Sequence, residues 1–370
     1  MSKKTVAPLR GSNFEALRIL SMVMIIGSHF CLFGLQLRLR PMSANKVLLE
    51  TLFLTQGRVG AILFFIITAY FLCVSDLPVH KSFKKAWILE RTLLFWSLLL
   101  TLISFLVGLL PSQESLKDRI KFIVSAFLPT TSNCWWFATS YMGFLIIAPF
   151  LIAGLKALSQ RWHFVLCVIA LFAGLSTQLP IFKNSNSVIS FSPGIINLDF
   201  IAIFTIVAYI RWYVPWLLQK RTLGIICCTI GYLWSLVHVF TKRGEEPTTF
   251  NPSVLFEVVG WFIVFYNFHF SSKAINGLAS HVFSIYLITE FSTLRGPIWN
   301  YFTLISDKIY STVWMVPYTI GIVIGVCVLC VILDIVKSCI FSLTVDRKKG
   351  RVFEFLWSKT NNVITRVFRI

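Results

Sequence analysis

Ten apolar runs follow one another along this chain, separated by short segments rich in lysine and arginine. Inside lipid every backbone N–H and C=O must be satisfied within its own segment, so runs of this kind fold as helices and pack side by side. The expected spans cover 14–35, 58–75, 88–110, 134–154, 163–180, 193–210, 222–240, 252–269, 278–294 and 314–336. The first apolar run is followed by charge rather than by a small-residue cleavage site, so it is expected to stay as a span. The expected fold class is all-α: a polytopic integral membrane protein forming a single bundle of about ten transmembrane helices. Of the 34 lysines and arginines, 21 fall on the side of the amino terminus and twelve on the other, so both termini are expected in the cytoplasm.

Composition agrees. Hydrophobic residues make up 56% and charged residues 13%, where soluble domains carry roughly 25% charge. The net charge of +19 does not imply nucleic acid. The basic residues sit between apolar runs, where anionic headgroups and the membrane potential account for them. Most of the nine cysteines lie inside apolar runs, and Cys327 and Cys330 form a CxxC without further ligands nearby, so no metal is expected. Residues 1–340 read as one transmembrane domain. Residues 341–370 read as a basic cytoplasmic tail, an interfacial helix on the inner leaflet. Segments 36–57 and 111–133 are each expected to hold a short interfacial helix, the second ended by Pro129, and 184–192 a polar outer loop.

Within the first run, NFEALRILSMVMIIGSHF, Arg18 and His29 stand eleven residues apart. That is almost three helical turns, so both share a face, about 16 Å apart along the axis. Charged and titratable groups are costly in lipid unless they meet a cavity or a polar partner. A histidine there can act as a general base on a hydroxyl, or it can be a satisfied packing residue. The guanidinium of Arg18 suits phosphate or carboxylate, and Glu15 can pair with it locally. Arg58 stands at the outer mouth of the second run, either snorkelling to the interface or turned inward near His29. Lys84, Lys85 and Arg91 cluster on the cytoplasmic side with Glu90. With Arg18 they can line an inner pocket for a polyanionic donor, although positive-inside charge also explains them. Trp135, Trp136 and Tyr141 form either an outer aromatic belt or a platform for a sugar. Asp199 and Glu257 are intramembrane acids able to partner His29 or an arginine; Glu290 and His281 lie near the two ends of the ninth run.

Together these features resemble the acyltransferase-3 family, membrane enzymes that O-acylate bacterial surface polysaccharides. The family's first span carries Arg or Lys, ten residues, then His, as Arg18 and His29 stand here. GAILFFIITAY over Gly60 to Tyr70, preceded by Arg58, is similar to its second span. Trp136, Phe137, Tyr141 and Pro149, then AYIRWY from Ala208 and FSIYLI from Phe283, continue the likeness over most of the chain. The sequence departs from the family at Ile62, where an acid or amide is usual, and at Thr68-Ala69, which replaces Ser-Gly. It departs again at Lys84, Lys85 and Arg91, which stand in place of a paired-arginine motif, and at Thr289-Glu290, which replaces a histidine.

The resemblance implies an O-acetyltransferase of the bacterial inner membrane. Acetyl-CoA is its donor substrate rather than a bound cofactor, and a polysaccharide or lipid-linked sugar is the acceptor. His29, Arg18 and Arg58 are the expected catalytic residues; Arg18, Arg91 and Lys85 are expected to hold the donor. His29 either activates a sugar hydroxyl directly or relays the acetyl group. Two rival classes stand beside this reading, a flippase or transporter and a polymerase of lipid-linked polysaccharide. The first would bring internal repeats and discontinuous midplane helices and the second a large outer loop; none of these is visible in the sequence.

Overall fold

The computed structural model describes residues 11–75, 77–109, 116–178, 195–242, 244–346 and 350–368. The expected polar loop over 184–192 lies outside the described residues. So do several basic residues counted for orientation: Lys3, Lys4, Arg10, Lys183, Arg243, Lys348 and Arg369 among them. Among the described residues the chain is helical, with no strand.

Helix α1, Asn13–His29, runs into a π turn over Phe30–Gly34. The chain then reverses at Gln36, whose φ of 48° is left-handed. Helix α2, Ala44–Leu49, is capped by the Ser43 hydroxyl, which accepts from the Lys46 N–H at 3.2 Å. It passes through a second π turn, Glu50–Leu54, into α3, Gln56–Leu72. The short helix expected within 36–57 is thus continuous with the helix expected from 58, in one helical stretch from Ala44 to Leu72. Its charges are satisfied internally. The Lys46 ammonium is 3.6 Å from Glu50 and donates to the Arg40 carbonyl at 2.7 Å, and both side chains are buried.

Helix α4, Val79–Leu106, begins directly after Pro78, nine residues before the expected start, so Lys84 and Lys85 ride on its first turns. Helix α5, Leu116–Ala126, stops just before Pro129, as expected of 111–133. Then come α6, Trp136–Ala157, α7, Gln160–Ser176, α8, Leu198–Tyr213, α9, Arg221–Thr241, and α10, Pro252–Tyr266. The expected ninth span is broken. It consists of α11, Lys273–Ala279, α12, Val282–Thr289, and α13, Ser292–Asn300. Short α14, Thr303–Ile309, leads to α15, Met315–Leu343, and α16, Arg351–Phe368, follows.

Among the described residues, six helical stretches are long and apolar enough to cross a membrane: Asn13–Gly34, Ala44–Leu72, Val79–Leu106, Trp136–Ala157, Arg221–Thr241 and Met315–Leu343. This is a multi-pass architecture. Helices α7 and α10 are apolar but shorter; at 1.5 Å per residue they fall below the roughly 30 Å of a hydrocarbon core.

Helix α1 lies at the centre, packed on α3, α10, α11, α12 and α15. Small residues let the central helices approach. A Cβ at Gly60 of α3 would stand 2.4 Å from the Ser21 carbonyl oxygen of α1, and one at Gly260 of α10 would stand 2.5 Å from the Cys228 nitrogen of α9. Helix α16 is amphipathic and lies against α4. Glu354 accepts from Lys84 at 2.7 Å and bonds His80 at 2.8 Å, while Trp357 packs on His80 and Phe83. Those bonds hold the Glu354 carboxyl below its ordinary range. Asp346, just ahead of α16, binds Arg91.

The α1–α3 contact gives a direct test. Gly60→Val forces a side chain into the Ser21 carbonyl and is expected to cost about 1–3 kcal/mol or more, read as a lower midpoint of thermal unfolding in detergent.

Candidate active site

Four helices each turn one face toward a shared axis. On α1 that face carries Arg18, Met22, Ile25 and His29, at steps of four, three and four residues. On α3 it carries Arg58, Ala61, Phe64 and Thr68; on α6, Phe137 and Tyr141; on α12, Phe283 and Tyr286. All these spacings are those of one helical face. Two cavities open along the axis. One, of about 40 Å³, holds His29 with Arg58, Trp136, Glu246 and Tyr286 in its wall. The other, of about 460 Å³, holds Arg18 with Lys85, Tyr141, Ser284, Asp334 and Lys337.

His29 meets an acid from the break in the ninth span. Its Nδ1 stands 3.1 Å from Oε1 of Glu290, an ion pair once the imidazole is protonated, at an angle outside that of a hydrogen bond. Glu290 is the residue after α12, where the helix stops and its carboxylate turns to α1. The other carboxylate oxygen takes a bond from Arg295 at 3.3 Å, and the Arg295 guanidinium lies 4.1 Å from the centre of the Phe33 ring. The result is a line of Arg295, Glu290 and His29, its acid and imidazole nearly buried. With Nδ1 turned to the carboxylate, Nε2 is the nitrogen left for a substrate.

Arg58 turns inward, into the wall of the His29 cavity. It bonds Glu246 at 3.1 Å and lies 5.1 Å over the Trp136 ring. Trp136 is thus a cavity wall. Its neighbour Trp135 is fully buried, its indole N–H donating to the Leu287 carbonyl at 3.0 Å, which is a packing role. Arg18 forms the expected local pair with Glu15 at 3.0 Å and still lines the larger cavity with Lys85. Arg91 does not join them. Asp346 holds it, beside the Phe341 ring, away from Arg18.

The remaining sequence candidates divide. Glu257 is fully buried and accepts from the Ser235 hydroxyl at 2.7 Å, joining α10 to α9. Asp199 opens α8 and lines neither cavity. His281 reaches the larger cavity's rim indirectly, with Nδ1 2.7 Å from Asp334. Asp334, fully inside the bundle, also binds the Lys337 ammonium at 2.6 Å and the Ser284 hydroxyl. Sequence reasoning missed Glu246, Asp334, Arg295 and Lys337 as site residues. The signal for one pair was present: Asp334 and Lys337 stand three apart in the most apolar run.

The acyltransferase-3 family model, an acyltransferase domain, matches residues 12–334. The chain belongs to that family. This acyltransferase therefore places its first-span arginine and histidine at the ends of a single axis, each in its own cavity. No curated protein and no solved structure matches it.

If Glu290 orients His29, Glu290→Gln keeps the shape and removes the charge. Acyl transfer is then expected to fall at least about tenfold, toward the 10²–10⁴ range of general acid–base catalysis. Initial rates in membrane vesicles matched for protein by immunoblot check this.

Proposed function

We propose that this acyltransferase moves an acetyl group from acetyl-CoA to a sugar hydroxyl of a surface polysaccharide or its lipid-linked precursor, with His29 as general base. The single observation that carries the reading is the imidazole backed by a buried carboxylate and facing a small cavity, at one end of an axis whose other end is cationic.

The larger cavity suits the donor. Arg18, Lys85 and Lys337 line it, Arg18 paired with Glu15 and Lys337 with Asp334, and thiol-ester donors of this class carry phosphates. With the amino terminus inside, as the lysine and arginine bias favours, this cavity opens to the cytoplasm. Arg18 and His29 are about 16 Å apart along α1, so the arginine anchors the phosphates and His29 meets the thioester. In the transfer, the sugar oxygen bonds the acetyl carbon as its proton passes to Nε2 of His29. The carbon–sulfur bond breaks, and the proton leaves on the sulfur as free CoA. Arg58, beside the reacting centre, stabilises the charge that develops on the thioester oxygen. Trp136 offers an aromatic face to the sugar.

His29→Ala is expected to remove O-acetyl groups from surface glycan while protein level and glycan length stay the same. Loss of polymer, or altered chain length, would instead favour a flippase or polymerase. A second measurement separates the cations. Lys85→Ala and Lys337→Ala should raise the KM for acetyl-CoA with a smaller effect on kcat, whereas Arg91→Ala, whose partner is Asp346, should leave that KM in place.

A further inference from the structure

One side chain belongs to both cavities. Phe283 of α12 lines the His29 cavity on one side and the Arg18 cavity on the other. It stacks with Phe64 of α3 at 6.1 Å between ring centres, and Phe64 packs edge-on against Phe137 of α6 at 6.0 Å. One turn further along α12, Tyr286 packs on Phe283 at 6.2 Å. Together with Met22 and Ile25 of α1, these rings form an apolar layer across the axis between the polar ends.

We propose that Phe283, supported by Phe64, sets the length of the acyl group this enzyme transfers. The inference rests on the donor and base assigned above. A thioester arm reaching from the Arg18 cavity to His29 passes this layer, and its acyl carbons then lie in the small cavity between the layer and His29. That cavity is about 40 Å³. A water-sized group needs roughly 10–15 Å³, so there is room for about three heavy atoms, the number in an acetyl group. Each added methylene must displace Phe283 or Phe64, both wedged among other rings. A misfit of one methylene in an apolar pocket typically changes kcat/KM by about 10–200-fold.

The test uses inverted membrane vesicles from cells that carry the full-length protein and its glycan. Labelled acetyl-, propionyl- and butyryl-CoA are compared as donors, and label precipitated with glycan is counted. The wild type is expected to prefer acetyl over butyryl by at least about tenfold. Phe283→Ala should shift that ratio toward butyryl by at least about tenfold. Phe64→Ala should shift it in the same direction, and Phe283→Leu, which keeps more of the packing, should give a smaller shift. The ratio reports on the pocket even where the overall rate falls. Acetyl transfer with an unchanged donor ratio in Phe283→Leu and Phe64→Ala overturns this inference and leaves the proposed function intact. A wild type that transfers label from none of the three donors overturns the proposed function itself.

Discussion

An ionisable side chain inside an apolar bundle must meet a partner or a cavity. Most of the arrangement around the site follows from that requirement. His29 is set against Glu290, Glu290 against Arg295, and Arg58 against Glu246. At the other end Asp334 gathers Lys337, His281 and the Ser284 hydroxyl. Such groups add little net stability, because desolvation offsets much of the attraction. Removing one partner, however, strands a buried charge. The pairs therefore fix which helices can be neighbours. α12 must stop at Glu290 for its carboxylate to face α1, and α15 must lie beside α12 for Asp334 to reach Ser284.

The separation of the two cavities follows from the same face of α1. Its polar groups lie at the two ends, and Met22 and Ile25 lie between them. Helices α3, α6 and α12 repeat that order, with Phe64, Phe137 and Phe283 closing the middle. The cationic side chains at one end and the imidazole at the other are thereby kept apart by an aromatic layer.

What the sequence revealed was whatever depends on neighbours along the chain. The shared face of Arg18 and His29, the Glu15–Arg18 pair and the amphipathic tail all follow from spacings of three, four and eleven residues. What it hid depends on residues far apart. Glu290 meets His29 across most of the chain, and an unbroken apolar run from 278 to 294 disguised the stop in α12. The pairing of Arg91 with Asp346 was hidden because Asp346 stands beyond the last apolar run. The charges over 36–57 read as an interface, although Lys46 and Glu50 stand four apart, a spacing that pairs them within one helix. Among the described residues six stretches are long and apolar enough to cross a membrane, and hydropathy did not reveal that the ninth run is broken into short helices.

The two π turns, Phe30–Gly34 and Glu50–Leu54, sit side by side, and the Ser28 hydroxyl of α1 donates to the Leu54 carbonyl of the second at 3.0 Å. Each holds one residue more than an α turn would. Together they bracket the connection between α1 and α3. Losing one residue from either turn would convert it to ordinary α-helix and swing only that connection, by about 100°. His29, just before the first turn, and Arg58, just after the second, would keep their register. A single-residue length change in this connection would therefore reshape the rim over His29 while the imidazole itself stays in place.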